Sequence, residues 1–330
     1  MNQTIRPRRG RRVILILLAI LLFFAAANCF LNRNLWVTSY TISSSRLPEA
    51  FDGCRIIQLT DLHSLRQGVF LEKLLAAVRQ EKPDLILITG DLVDSKRYMA
   101  EKNDLLAGKT GEQPGGDSLE LLRRLLELAP VYYVYGNHEM VLLDNPERNP
   151  FKTALEEMGV HLLNVQEAFV EKDGQRVRLW GLQDPSTLYK DSRFAGLEGG
   201  GAKTEAMLDL LTASARSEDA DPAAGASPGG LEDTGPFTLL LAHRPEYLDM
   251  YGRYPVDLVF SGHAHGGQFR LPFAGGLYAP NQGFFPKYDA GLYSAGGCRM
   301  ILSRGIGNSV IPVRLFNPPE IVSVTLRTEK

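Results

Sequence analysis

The sequence predicts an α/β protein: a layered α/β/β/α sandwich of two mixed sheets, preceded by one N-terminal transmembrane helix. Three observations carry this prediction. Short apolar runs alternate with helix-period segments through the first half of the chain, the pattern of strands and helices packed in layers. The second half is richer in strand-like runs, which calls for a second sheet. Ahead of both lies "VILILLAILLFFAAA", Val13 to Ala27, apolar without interruption.

The elements follow in order. Residues 1–12 form a basic tail with Arg6, Arg8, Arg9, Arg11 and Arg12. Residues 13–31 have no polar face, unlike a buried core helix, and at about 1.5 Å per residue they reach across a bilayer's hydrocarbon core. The preceding arginines favour a cytoplasmic N-terminus and an extracytoplasmic following domain, hence a single-pass protein of the cell membrane. A cleaved signal is the alternative, with "AAA" at Ala25 to Ala27 as its cleavage site and "RRVIL" as a weak twin-arginine signal. Residues 32–52 read as a juxtamembrane segment with one extended stretch, "LWVTSYTIS".

Residues 53–330 form the main domain. Arg55 to Thr60, "DLILITGD" and "VYYVYGNHE" are buried strands running into polar loops. Between them, Leu71 to Glu81 is a helix stopped by Pro83, and Leu119 to Leu128 is a second; Phe151 to Met158 is a third, closed by Gly159. "VRLWGL", "FTLLLAH" and "DLVFSGHAH" are further strands. Residues 100–117 and 196–236 are rich in Gly, Ala, Ser and Pro, and read as flexible insertions, the second containing a short helix over "TEAMLDLLTASA".

The chain has 330 residues, 44% of them hydrophobic, enough for one sizeable core, and a net charge of −2, which gives no reason to expect a nucleic-acid partner. Its three cysteines, Cys29, Cys54 and Cys298, lack thiolate zinc spacing. Cys54 and Cys298 are either free buried thiols or a disulfide, the former being the commoner use.

The strand ends carry the chemistry. "TDLH" supplies Asp61 and His63; "TGDLVD" supplies Asp91 and Asp94; "YGNHE" supplies Asn137, His138 and Glu139; "LAHRP" supplies His243; "SGHAHGGQ" supplies His263 and His265. All six histidines but His161 thus fall just after apolar runs. Loops at the carboxyl ends of strands build ligand sites in α/β sheets. Each motif alone is commonplace; their joint placement points to a shared metal site. Carboxylates, imidazoles and an amide oxygen suit Mn, Fe, Zn or Co and not calcium. There are too many donors for one ion, and two ions about 3.5–4 Å apart form the clamp used in phosphate-ester hydrolysis.

D-x-H, GDxxD, GNH[ED], a lone His after a strand and GHxH, in that order, resemble the calcineurin-like metallophosphoesterase superfamily. The match runs from about Arg55 to Arg327. "YAPNQGFFPKYDAGLY" and "SRGIGNSVIPVRLFNPPE" look like its bacterial membrane-associated branch, which includes phosphodiesterases and a lipid A precursor pyrophosphatase. The resemblance implies that Asp61, His63, Asp91 and His265 hold one divalent ion. It implies that Asp91, Asn137, His243 and His263 hold a second, with Asp91 bridging. His138 would then be a general acid and no ligand, with Asp94 orienting its imidazole. The implied activity is cleavage of a phosphodiester or pyrophosphate bond by a metal-activated hydroxide, on a phosphate ester linked to a membrane lipid. The alternatives are a phosphomonoesterase of the same fold and a non-catalytic binding module. Ser95 after Asp94, where the protein phosphatases of this superfamily carry arginine, argues against a protein phosphatase. Arg244 is a phosphate contact or a solvated cation. Lys287 is a phosphate contact in an aromatic loop of Tyr278, Phe284, Phe285 and Tyr288 that either grips substrate or packs.

Overall fold

The computed structural model describes residues 8–65, 68–143, 149–218, 235–271, 273–308 and 313–329. The chain opens with helix α1 (Arg8–Arg33), long and apolar enough over Gly10–Asn32 to cross a membrane, with none of its most apolar window buried against protein. Strand β1 (Trp36–Ser44) follows almost directly, then β2 (Arg55–Leu59), α2 (Val69–Glu81), β3 (Leu85–Thr89), α3 (Ser95–Leu106), α4 (Gly116–Leu126), β4 (Val131–Val134), α5 (Pro150–Met158) and β5 (His161–Leu162). The second half contains β6 (Gln166–Lys172), β7 (Gln175–Leu182), α6 (Gly199–Glu218), β8 (Thr238–Ala242), α7 (Leu248–Tyr251) and β9 (Leu258–Ser261). Two short hairpins, β10 (Arg270–Leu271) with β11 (Gly275–Gly276) and β12 (Tyr278–Ala279) with β13 (Gly283–Phe284), precede β14 (Gly291–Ala295), β15 (Cys298–Leu302) and β16 (Glu320–Thr328).

One sheet has the order β1-β16-β2-β3-β4-β5 and the other β14-β15-β9-β8-β7-β6. Both are mixed: β2 to β5 run parallel while β16 is antiparallel to β2, and the parallel centre β15-β9-β8-β7 is flanked by antiparallel β14 and β6. The period of two along each strand sends alternate side chains to different layers. Leu85 and Leu87 of β3 meet Leu239, Leu241, Leu258 and Phe260 in the core between the sheets. Ile86 and Ile88 point the other way, to Leu74, Leu121 and Leu155 of α2, α4 and α5. Leu240 and Val259 pack outward on Met207, Leu208 and Leu248 of α6 and α7. The α/β/β/α sandwich is therefore assembled by residues that are buried on both faces.

Three sequence expectations change. The juxtamembrane stretch 32–52 belongs to the domain: its extended part is β1, which pairs in parallel with the C-terminal β16, and Ile42, Leu47 and Phe51 lie in the inter-sheet core. Residues 100–117 are only partly loop, because α3 continues to Leu106, capped at its N-terminus by the Asp94 carboxylate accepting the Arg97 N–H. Within 196–236, Gly199–Glu218 is a full helix that covers the second sheet; residues 219–234 of that segment lie outside the described residues. The short helix expected over 204–215 is thus longer at both ends; its Met207, Leu208 and Leu211 face the core, while Leu210 is exposed. Leu208→Ala is accordingly expected to cost about 2–5 kcal/mol in urea unfolding, the range for a buried leucine; a solvated insertion would show no change.

Cys54 and Cys298 are free and buried in different clusters, so the disulfide reading is replaced by two separate thiols. Burial pushes Cys54 up to about 12 and Cys298 up to about 11, which leaves both protonated and inert.

Candidate metal centre

The carboxyl ends of β2, β3, β4, β8 and β9 meet where the two sheets face each other, and the loops that follow them carry all the strand-end residues. Their backbone is strained: Asp61, His63, Asp91, His263 and His265 all have φ between 47° and 68°, a left-handed conformation that non-glycine residues seldom adopt. Glycine makes the convergence feasible. A Cβ on Gly136 would lie 2.3 Å from Asp91 Oδ1, and one on Gly262 would lie 2.1 Å from Thr60 Oγ1, so the "GN" and "GH" glycines are required by close approach of the loops.

Two donor groups result. Asp61, His63, Asp91 and His265 place one ligand atom each within 4.8 Å of one another, and Asp91, His243 and His263 do the same. In the first, His265 Nε2 is 3.1 Å from His63 Nε2 and 3.2 Å from Asp61 Oδ1, and His63 Nε2 is 3.8 Å from Asp91 Oδ2. In the second, His243 Nε2 is 3.4 Å from the same Asp91 Oδ2 and 3.2 Å from His263 Nδ1. His263 and His265, two apart in sequence, thus face different groups, and Asp91 belongs to both. Asn137 lies beside them; its Oδ1 is buried with no hydrogen-bond partner among the described residues. An orphaned amide oxygen next to carboxylates and imidazoles fits a missing cation.

The protonation pattern fits as well. Burial holds the His63 imidazole down at about 4 and lowers His263 and His265 well below the ordinary value, keeping three rings neutral with a lone pair free. Burial also lifts Asp61 to about 6. Burial would depress His243 too, but the Asp91 carboxylate outweighs it and raises the imidazole to about 10. The same cation holds the Asp91 carboxyl well below its usual range against the opposing effect of burial. His243 Nδ1 donates to the Thr89 carbonyl at 2.7 Å, which aims Nε2 at Asp91.

One consequence is measurable. The metal-free chain carries a proton on His243 at neutral pH, and a cation taking Nε2 must displace it. Affinity should therefore rise with pH, by up to about tenfold per unit for that proton, until about 10. Calorimetry of Mn2+ binding at pH 8 in buffers of differing ionisation enthalpy should report about one proton released per chain; none released would show that His243 is no ligand.

His138 stands at the rim. Its ring packs edge-on against His63, with centroids 4.5 Å apart. The Ser95 N–H donates to its Nδ1 at 3.3 Å, while Asp94 Oδ2 is 3.6 Å away, beyond hydrogen-bond length. Asp94 Oδ2 thus faces the same nitrogen as a charge, while its Oδ1 is committed to capping α3. With Nδ1 accepting, a neutral His138 carries its proton on Nε2.

Other residues matter that their motifs did not announce. Glu139 is fully buried; it accepts the N–H groups of Asp91 at 3.0 Å, Gly136 at 2.7 Å and Val93 at 3.1 Å, and so clamps two of the loops together. Burial raises its carboxyl to about 7. The acid following "GNH" was its only signal. Arg244 is half-buried and ion-paired with Asp184, whose Oδ1 accepts from Nη2 at 3.0 Å, so it is no freely solvated cation. The Asn281 amide lies 3.2 Å from His263 Nε2, in the aromatic loop. In that loop Tyr278, Phe284 and Phe285 are exposed and Tyr288 is buried, and Lys287 is exposed and paired with Asp249 at 3.0 Å. Arg314 is buried, with Nη2 3.5 Å from His265 Nδ1 and its other bonds to backbone carbonyls.

The chain is 28% identical over 88% of its length to YkuE, an uncharacterized metallophosphoesterase of Bacillus subtilis, covering 85% of that protein. It is 27% identical to phosphodiesterase YaeI of Escherichia coli, over 82% of both chains. It is 25% identical over 84% of its length to the UDP-2,3-diacylglucosamine pyrophosphatase LpxG of Chlamydia muridarum, covering 85% of that protein. Residues 54–267, which hold every strand-end motif and both donor groups, match the model of the calcineurin-like phosphoesterase family, and the chain belongs to that family.

Proposed function

We propose that this phosphoester hydrolase is anchored in the cell membrane by α1 and uses two divalent ions to cleave a phosphodiester or pyrophosphate bond in a lipid-linked substrate. The observation that carries the two-ion reading is the single Asp91 oxygen that faces both donor groups. Asp61, His63, Asp91 and His265 would hold one ion; Asp91, Asn137, His243 and His263 the other. Mn, Fe, Zn and Co all suit this set of nitrogen and oxygen donors. When bound, the pair supplies Lewis acidity toward the phosphoryl oxygens and lowers the pKa of the attacking water. The chain supplies position and a proton. Glu139 keeps the Asp91 and Asn137 loops in register, Thr89 aims His243, and His138, entering the step as the imidazolium, gives its Nε2 proton to the leaving oxygen and is left neutral.

The lipid-linked substrate is supported by the apolar span of α1 and by the relatives named for a phosphodiesterase and for a diacylglucosamine pyrophosphatase. The arginines before α1 favour a domain on the outer side of the membrane.

Full-length protein loaded with Mn2+ should hydrolyse bis(p-nitrophenyl) phosphate, lose that activity to a chelator and regain it with added metal. A properly folded, metal-loaded chain without turnover would point instead to a non-catalytic binding module. Protease protection of the domain in right-side-out vesicles would refute the outward orientation.

A further inference from the structure

A cavity of about 740 Å3 joins the candidate metal centre to the membrane helix. His63 and Asp94 line it together with Cys29 and Asn32 of α1, and Leu65 and Phe70 lie among its walls. Its volume falls within the roughly 300–1,000 Å3 typical of small-molecule sites. We propose that α1 is more than an anchor: its C-terminal turns form one wall of the substrate site, and the cavity seats the acyl chain of a lipid phosphate whose phosphoryl group lies at the metals. This rests on the lipid-directed reading of the metal centre and names where the chain of that substrate goes.

The helix is fastened to the site. Only Asn34 and Leu35 separate α1 from β1. Asn32 Nδ2 donates to the Arg314 carbonyl at 2.5 Å, Asn28 Oδ1 accepts the Phe316 N–H at 3.0 Å, and the Phe24 and Phe316 rings meet edge-on at 5.7 Å. The Arg314 side chain in turn reaches His265. The segment 314–316 thus connects membrane helix to metal ligand through a few contacts.

The depth of these contacts matters. Phe24 precedes Asn32 by two turns, about 12 Å along the helix axis, so Phe316 packs beside a residue well inside the apolar span. The face of the domain around the cavity mouth therefore meets the lipid, and exposed Val69 and Val313 beside the cavity residues Phe70 and Arg314 are suited to that contact. A chain moving from bilayer to cavity meets apolar side chains at Leu62, Leu65, Phe70, Ile306 and Val313, set among the polar Ser64, Arg97 and Asn308. A chain drawn to the metals through water would expose every methylene, at a cost that grows with length. Headgroup chemistry at one end and a hydrocarbon route at the other belong together only for an amphiphile.

Cys29 provides the probe. It is exposed, whereas Cys54 and Cys298 are buried. Full-length protein in nanodiscs is reacted with a bulky fluorescent maleimide, and the rate of Cys29 labelling is followed. Dodecyl phosphate should slow labelling at least tenfold at concentrations where butyl phosphate, inorganic phosphate and dodecyltrimethylammonium do not. Once Cys29 is labelled, inhibition of bis(p-nitrophenyl) phosphate turnover by dodecyl phosphate should weaken at least tenfold, and inhibition by butyl phosphate should not. Cys29→Ser treated with the same reagent should retain full inhibition. Unchanged labelling in dodecyl phosphate, equal protection by butyl or dodecyltrimethylammonium compounds, or equal weakening of inhibition by butyl and dodecyl phosphate would each overturn the proposal. Labelling protection needs no catalysis, so a chain that shows it without hydrolysing the model diester would lose the hydrolase reading and keep the chain site.

Discussion

His138→Ala is expected to lower kcat on an alkyl phosphodiester by roughly 10²–10⁴-fold, the usual effect of losing a general acid, with both metals retained. The geometry behind this is specific. His138 touches the centre through its ring edge on His63, and its backbone N–H donates to Asp91 Oδ1 at 2.9 Å, a contact that alanine keeps. General-acid action needs the imidazolium, whose Nδ1–H would face the Asp94 carboxylate, 3.6 Å away, in place of the Ser95 N–H. With bis(p-nitrophenyl) phosphate the loss should be much smaller, since p-nitrophenolate leaves without protonation; this contrast between substrates identifies the acid. Asp94→Asn should cost less, roughly 10–100-fold as for other supporting partners of a site, because an asparagine can still cap α3. Metal analysis of His138→Ala showing an ion lost would make the residue a ligand, a role open to it because His63, Asp94 and His138 also cluster within 4.8 Å.

Asp91→Asn is expected to empty both sites, whereas Asp61→Asn should empty chiefly one. Asp91 Oδ2 faces His63 at 3.8 Å on one side and His243 at 3.4 Å on the other, while Asp61 belongs to a single donor group. The shared anion offsets two cations, and an amide offers neither its charge nor its second oxygen. The variant also removes the counter-charge of the buried His243 imidazolium, and an unpaired buried charge costs several kcal/mol. His243 should therefore become neutral, and any residual Mn2+ binding should no longer release its proton. Metal content by mass spectrometry, on protein shown by circular dichroism to be folded, decides the matter: single-site losses from both variants would dismiss the bridge.

The sequence by itself determined the chemistry-bearing residues and the strands that deliver them. Strand ends are local features, and an apolar run closing in Asp, Asn or His beside glycine is visible whatever lies around it. The helix-period segments over α2, α4 and α5 and the apolar length of α1 were legible for the same reason. Only the tertiary structure decided what those residues do to each other. Spacing places His263 and His265 together, yet strained left-handed backbone turns them into different donor groups. The sequence shows only a short helix within 196–236, over 204–215; the full helix over 199–218 is seen in its packing on the second sheet. The stretch 32–52 has the extended pattern of an edge strand, but its partner, β16, lies nearly three hundred residues away at the C-terminus. Asp94, Glu139, Arg244 and Arg314 carry charges whose partners are set by long-range contact: a helix cap, a loop clamp, an ion pair with Asp184, a neighbour of His265. Periodicity and turn chemistry act over a few residues and are written in the order of the chain. Partner choice among buried polar groups depends on which loops the folded sheets bring within hydrogen-bond reach, and that is a property of the assembled core.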